Sequence, residues 1–366
     1  VNTTRWVVKI GSALATKQGL GLNVEAIADW ARQIVGLKNA GREVVIVTSG
    51  AVAEGAARLG WLARPKSLHQ LQAAAAVGQM GLVRVWDQAF KQHDCLTAQI
   101  LLTHEDIANR QRYLNSRSTL WTLLQFGVIP VINENDTVAT DEIKLGDNDT
   151  LAGLVSNLVD ADVMVILTDQ NGLMSADPRL DPAAQLIEYA SADDSSIDAI
   201  AGDGGAWGRG GMRTKVRAAR LAARSGTSTV IASGNHPDVL LELAAGKPVG
   251  TLLAAPGAKR TARKQWLAGT LRVRGKLTLD AGACAVLTRH GRSLLPIGVI
   301  AVEGDFARGE LVSCVDQRDR EIARGLVNYS ATEVALIKGL PTIKLATVLG
   351  FEHEPELIHR DNLVVM

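Results

Sequence analysis

The sequence predicts a three-layer α/β/α domain on a mainly parallel sheet, followed by a small β-rich domain. Three observations carry this. A chain of 366 residues, 47% hydrophobic, exceeds one ordinary domain and can bury two cores. Up to about residue 255, short β-branched runs alternate with long Ala/Leu-rich segments, the texture of strands and helices in turn. After residue 270 the runs shorten and are separated by Gly and charged turns, which reads as a compact β unit. The expected division is 1–255, a linker at 256–272, and 273–366.

In chain order, Trp6 to Ile10 reads as the first strand and Val24 to Asn39 as a helix. Glu43 to Thr48 is a second strand, and Ala51 to Leu59 opens a second helix. Val128 to Ile132 and Val163 to Thr168 are apolar and β-branched enough for further buried strands, and Thr150 to Leu158 is helical. Ser191 to Gly211, rich in Gly, Asp and Ser, reads as a mobile surface loop. Ala254 to Lys264, rich in Ala, Pro, Gly and basic residues, reads as a linker. Beyond it, Leu271 to Val273, Lys276 to Leu279, Ala285 to Leu287, Val299 to Val302 and Leu311 to Val315 read as short strands.

Composition narrows the function. Lys plus Arg is 39 and Asp plus Glu is 38, so the whole chain offers no electrostatic reason to bind nucleic acid or an acidic membrane. The three cysteines, Cys95, Cys284 and Cys314, are scattered and form no CxxC, which fits a reducing cytosol and argues against a disulfide framework. No stretch approaches the roughly 20 apolar residues that span a bilayer, and the expected location is cytoplasmic. The seven histidines show no HExxH spacing, and no GxSxG, GxxxxGK[ST] or strand-linked GxGxxG occurs. Zinc-enzyme, serine-hydrolase, P-loop and dinucleotide readings therefore lack support, and no protein metal ligands are expected.

Six segments have the residue types for phosphate or amino acid chemistry. Lys9-Ile10-Gly11-Ser12 ends the first strand, where a Lys reaches a phosphate and Gly admits close backbone approach; taken alone, a surface Lys before a turn is the simpler reading. Thr48-Ser49-Gly50-Ala51 ends the second strand and starts a helix, which suits an anion and equally suits a plain Ser cap. Asn133-Glu134-Asn135-Asp136, directly after a strand, is either a recognition loop for ammonium and carboxylate groups or a solvated turn. Gly146-Asp147-Asn148-Asp149 enters a helix, with carboxylates placed to orient lysines or a metal, or to cap the helix. Thr168-Asp169-Gln170-Asn171-Gly172, followed by Asp177-Pro178, stands where a nucleotide base and ribose bind in open α/β sheets. Gly210-Gly211-Met212-Arg213-Thr214-Lys215 offers exposed N–H donors, a helix dipole and a cation one turn in.

Taken together and in order, these segments resemble the amino acid kinase family over nearly the whole chain. The stretches Val44–Ala51, Pro130–Asp136, Lys144–Asp149, Leu167–Leu173 and Gly210–Lys215 carry the resemblance. The Asn-Glu-Asn-Asp and Gly-Asp-Asn-Asp pieces point to the branch that phosphorylates the side-chain carboxylate of glutamate, the first step of proline biosynthesis. The tail from roughly Lys276 to Gly350 resembles a PUA domain.

The resemblance implies MgATP as co-substrate, with Mg²⁺ held mainly through the phosphates. Lys9 and Lys215 would then contact the ATP phosphates, and Asp149 would hold the two lysines in register. Ser49, Asp136 and Asn148 would bind glutamate, supported by Asp147. Thr168 and Asp169, with Arg209, Gly210, Gly211, Met212, Arg213, Thr214 and Lys215, would line the nucleotide site. Arg209 stands where the family is expected to carry a small or hydroxyl residue; it adds a phosphate contact or points to solvent. The resemblance further implies feedback inhibition by proline, a homo-oligomer (dimer or tetramer), and hand-off of product to glutamyl phosphate reductase.

Two rivals remain at this level. One is a family member acting on acetylglutamate, aspartate or UMP. The other is RNA binding by the tail, suggested by Arg260, Arg263, Lys264, Arg272, Arg274 and Lys276; the near-zero net charge and lack of interleaved aromatics argue against it.

Overall fold

The structure is a computed structural model. It describes all residues except 1–3, 18–20, 64, 66, 140–147, 178–180, 202–210, 257–272, 351–353 and 366. Two compact units are present, Val1–Ile107 with Arg117–Lys259, and Ala108–Ser116 with Arg260–Met366.

The first unit is built on an eight-stranded sheet of order β3-β4-β2-β1-β5-β7-β8-β6. The strands are β1 (Arg5–Ile10), β2 (Glu43–Val47), β3 (Thr97–Leu102), β4 (Ile129–Glu134), β5 (Val163–Thr168), β6 (Tyr189–Ser191), β7 (Ser228–Ser233) and β8 (Thr251–Ala254). Every pairing is parallel except β7 with β8. The helices up to residue 259 are α1 (Ser12–Ala15), α2 (Val24–Asn39), α3 (Ala51–Arg58), α4 (Leu68–Lys91), α5 (His104–Ala108), α6 (Arg110–Gln125), α7 (Asn148–Leu158), α8 (Ile197–Ile200), α9 (Met212–Ala223) and α10 (Val239–Ala244); the end of α5 and the start of α6 fall in the second unit.

Strand β1 shows why both sheet faces are covered. Side chains alternate across a strand, yet all residues from Trp6 to Ile10 are buried. Trp6, Val8 and Ile10 enter a core with Trp30 and Ile34 of α2 and Trp86 and Phe90 of α4. Val7 and Lys9 alternate to the opposite side, and Lys9 meets the carboxylate of Asp149 on α7. The period of two thus places a lysine on the face where α7 lies.

The α3–α4 contact is closer than ordinary helix packing. A Cβ on Gly78 would lie 1.9 Å from the carbonyl oxygen of Ala51, and one on Gly55 1.7 Å from that of Ala74. These glycines let two backbones touch directly. The chain enters α3 through Gly50, whose φ of 116° lies in the left-handed region that favours glycine. Trp86 of α4 donates from Nε1 to Thr48 Oγ1 at 3.1 Å, tying α4 to the end of β2.

Several sequence expectations need correction. Strand β4 runs through Glu134, so Asn133 and Glu134 lie within the sheet and are buried, and only Asn135 and Asp136 begin the turn. The edge strand β3 and strands β6 to β8 had no expected counterpart; β3 carries Thr97, Ala98 and Gln99 among its six residues, which blurs its apolar run. The 202–210 part of the expected loop and most of the expected linker lie outside the described residues. The remainder of that loop holds a turn and α8.

The second unit has a five-stranded sheet of order β10-β9-β11-β12-β13: β9 (Gly275–Leu279), β10 (Val299–Gly304), β11 (Leu311–Val315), β12 (Glu321–Leu326) and β13 (Leu363–Val365). Only β9 with β11 is parallel. Helices α11 (Ala281–His290), α12 (Ala331–Ile337) and α13 (Leu345–Leu349) accompany it. The expected strand Ala285 to Leu287 is in fact inside α11. Asp280 caps that helix by accepting from Ala283 N at 2.6 Å, alanines fill its first turns, and Gly291 ends it at φ 55°. Val273 lies outside any strand, and Leu271 lies outside the described residues. Ser330 and Glu333 form a reciprocal capping box at the start of α12. Leu277, Val312, Cys314, Ala323 and Tyr329 are among the side chains that close the core of this unit. Burial, with help from Glu321 and Cys284, pushes the Cys314 thiol up to about 12, so it packs as an apolar side chain.

Gly78→Ala should destabilise the first unit by at least ~2 kcal/mol, because its Cβ meets backbone rather than a flexible side chain. Urea unfolding of the two proteins checks this; an unchanged midpoint would show that α3 and α4 can separate freely.

Candidate active site

In open α/β sheets ligands bind outside the carboxyl ends of the strands, where the strand order reverses. Here the chain passes from β1 to β2 on one side and later to β5 on the other. The carboxyl ends of β1, β2, β4 and β5 carry Lys9, Thr48-Ser49, Asn133 and Thr168. Four segments far apart in sequence thus converge on one edge. The backbone closes the gap between β1 and β5, with Gly11 N donating to Leu167 O at 3.1 Å.

The first cluster is ionic. Asp149, at the first turn of α7, places Oδ1 2.5 Å from Lys9 Nζ and Oδ2 3.1 Å from Lys215 Nζ. Thr214 Oγ1 donates to the same Oδ2 at 2.7 Å. All three charged residues are at most 5% exposed. Burial alone would push the Asp149 carboxyl up; the charges of Lys9 and Lys215, with hydrogen bonds from Lys9 and Thr214, reverse this and hold it well below the usual carboxylate range. Lys215 stands one turn into α9, whose Gly211 cap and residues Met212, Arg213 and Thr214 form the helix N-terminus.

The second cluster is neutral and polar. Asn148 directs Nδ2 to three acceptors: Thr48 O at 2.7 Å, Ser49 Oγ at 2.8 Å and Asn133 Oδ1 at 2.9 Å. Asn133 in turn donates from Nδ2 to Gln79 Oε1 of α4 at 2.8 Å. Next along β4, the buried Glu134 has its Oε1 3.4 Å from His104 Nδ1. Adjacent residues of α7 serve both clusters: Asn148 holds the polar one and Asp149 the ionic one.

The expected site residues fall as follows. Lys9, Lys215, Asp149 and Thr214 come together, and so do Ser49 and Asn148. Asp136 lies in the turn directly after β4. Thr168 ends β5 and donates from Oγ1 to Asp169 Oδ1 at 3.0 Å. Asp147, Arg209 and Gly210 lie outside the described residues. Sequence reasoning missed Gln79, the role of the Thr48 carbonyl as an acceptor for Asn148, and the strand position of Asn133. For Gln79 the one signal was a polar residue following Gly78 in an Ala-rich helix.

Comparisons with known proteins place the chain in a family. The amino acid kinase family model matches residues 4–233, and the PUA domain model matches residues 275–349. Glutamate 5-kinase of Stutzerimonas stutzeri is 60% identical over 363 residues, covering 99% of this chain and 98% of the relative. Glutamate 5-kinase of Pseudomonas aeruginosa is 60% identical with the same coverage. Glutamate 5-kinase of Burkholderia mallei is 59% identical, covering 100% of this chain and 98% of its own. With its family model matched from β1 to β7 and relatives aligned end to end, the chain belongs to the amino acid kinase family, in its glutamate 5-kinase branch.

Proposed function

We propose that this chain transfers the γ-phosphoryl group of ATP to the side-chain carboxylate of L-glutamate, giving L-glutamyl 5-phosphate and ADP, the first step of proline biosynthesis. The observation that carries the reading is the pairing of Lys9 and Lys215 on one buried carboxylate at the sheet's carboxyl edge. The trio sums to one positive charge and sits beside the helix N-terminus of α9, an arrangement that suits phosphate. The names and full-length identity of the relatives supply the substrate.

The acceptor is already an anion, so no strong general base is needed. An oxygen of the carboxylate attacks the γ-phosphorus as the bond to the bridging β–γ oxygen breaks, and ADP carries that electron pair away. The barrier is repulsion between two anions, and catalysis consists of positioning plus charge neutralisation. Lys9 and Lys215 meet the phosphate oxygens, while Asp149 keeps their Nζ atoms aimed. Ser49, Asn148 and Asp136 hold glutamate, with Asp147 in support. Thr168, Asp169 and the 209–215 segment line the nucleotide. Mg²⁺ would be held mainly through the phosphate oxygens, keeping several waters as it prefers, and would neutralise charge there.

The same reading places the substrate sites in 1–255, with 256–272 as linker and 273–366 as the PUA-like part. It includes inhibition by proline, assembly into dimers or tetramers, a cytoplasmic location and hand-off to glutamyl phosphate reductase. No described helix is long and apolar enough to cross a membrane.

The direct test is ADP release from MgATP with glutamate, N-acetylglutamate, aspartate and UMP offered separately, with and without proline. Turnover with glutamate alone, suppressed by proline, is expected; turnover with another acceptor moves the substrate. Lys215→Ala should lower kcat by about 10² or more while the fold survives, by analogy with loss of one transition-state charge contact.

Asp149 also predicts a pH signature. Its folded-state pKa is depressed, so its contribution to stability is present above the unfolded carboxylate value of about 3.9 and is lost as pH falls below it. Asp149→Asn should therefore be much less stable than the parent at pH 7, with the gap narrowing at pH 3. Urea midpoints at the two pH values check this, and a constant gap would contradict the depressed carboxyl.

A further inference from the structure

We infer that Gln79 is a positioning residue of the glutamate subsite, anchoring Asn133 by its Nδ2 so that Asn133 Oδ1 stays on the Asn148 amide. This rests on the subsite reading above and deepens it.

The argument is one of donors and acceptors. An amide side chain has one end that only donates and one that only accepts. The carbonyl of Thr48 only accepts, so the atom of Asn148 at 2.7 Å from it is Nδ2. That same Nδ2 lies 2.9 Å from Asn133, which must therefore present Oδ1. Asn133 then has Nδ2 on its other side, 2.8 Å from Gln79, and Gln79 must answer with Oε1. The polarity set by one backbone carbonyl thus passes through two asparagines and ends on α4.

With Nδ2 on these three acceptors, Asn148 carries its Oδ1 acceptor on the other side of the amide, a polarity that suits an α-ammonium, and Ser49, accepting from Asn148, keeps a hydroxyl hydrogen to donate, a polarity that suits a carboxylate. Asn133 is 2% exposed. Removing the Gln79 acceptor leaves a buried Nδ2 without its partner, so Asn133 loses the bond that anchors it and its Oδ1 is held less firmly on Asn148. Gln79 is held at this spot by the backbone contact of the preceding Gly78 with Ala51, so the α3–α4 approach and the amide chain form one device.

The test uses the full chain with Gln79→Met, which keeps length and helix propensity but removes the acceptor, with Gln79→Ala as a second variant. Each is made alone and with Asn133→Ala, and Ser49→Ala serves as a subsite control. Gln79→Met should raise the KM for glutamate about tenfold and change the KM for ATP less than about twofold, the scale of one lost hydrogen bond. In the Asn133→Ala background the same change should add less than about twofold, because the path to Asn148 is already cut. A purely structural role would lower the urea midpoint and shift both KM values, or add the same factor in both backgrounds; either result overturns the proposal. If Ser49→Ala weakens glutamate use and neither Gln79 variant does, the proposal falls and the subsite stands. If neither Ser49→Ala nor the Gln79 variants alter it, the subsite is misplaced and the proposal falls with it.

Discussion

The buried carboxylate of Asp149 is the constraint on which the site depends. Two lysines at least 95% buried require a counter-charge, because an unpaired ammonium in a poorly solvated interior is strongly disfavoured. Asp149 supplies a single one, shared between the lysines through its two oxygens. In doing so it locks β1, α7 and α9 at one point. The lysines are carried on a strand and a helix rather than on loops, so they hold their geometry before any substrate arrives. Removing the carboxylate would leave two buried cations facing each other, which is why its depressed pKa is a statement about the fold as much as about chemistry.

The amino acid side of the site depends on contact of a different kind. Gly55 and Gly78 bring α3 and α4 into backbone contact, and Trp86 reaches from α4 to Thr48. Thr48 N continues the β2–β4 pairing by donating to Ile132 O at 2.9 Å. The carbonyl of Thr48 then orients Asn148. A chain of ordinary packing requirements, none of them chemical in itself, therefore decides how the Asn148 amide is oriented. Neighbouring residues of α7 belong to the two clusters, so any shift of that helix would affect both.

Much of this was legible in the residues. Lys9, Ser49, Asn148, Asp149, Thr214 and Lys215 each stand at a strand end or helix start, where backbone polarity is already exposed; taken singly a cap or turn residue was as good a reading, and only the order of the segments along the chain marked them out together. The parallel sheet was legible for the same reason: strands buried on both faces read as unbroken apolar runs, as in Val163 to Thr168. What was misread had weak local signals. Ala285 to Leu287 looked like a strand because three residues cannot show a helical period, and the Asp280 cap and Gly291 terminator that decide the matter lie outside them. Strand β3 was missed because its polar residues break the run, and its existence depends on pairing with β4.

The sequence by itself determined the alternation of strands and helices, the family, and the identities of the charged groups, because these follow from periodicity and from motifs contiguous in the chain. Only the tertiary structure decided that β4 carries Asn133 and Glu134 into the sheet, that Lys9 and Lys215 share one carboxylate, and that Gln79 terminates the amide chain. Those facts depend on pairing register and on helix-to-helix distance. Both are set by contacts between residues remote in sequence, which no local pattern records.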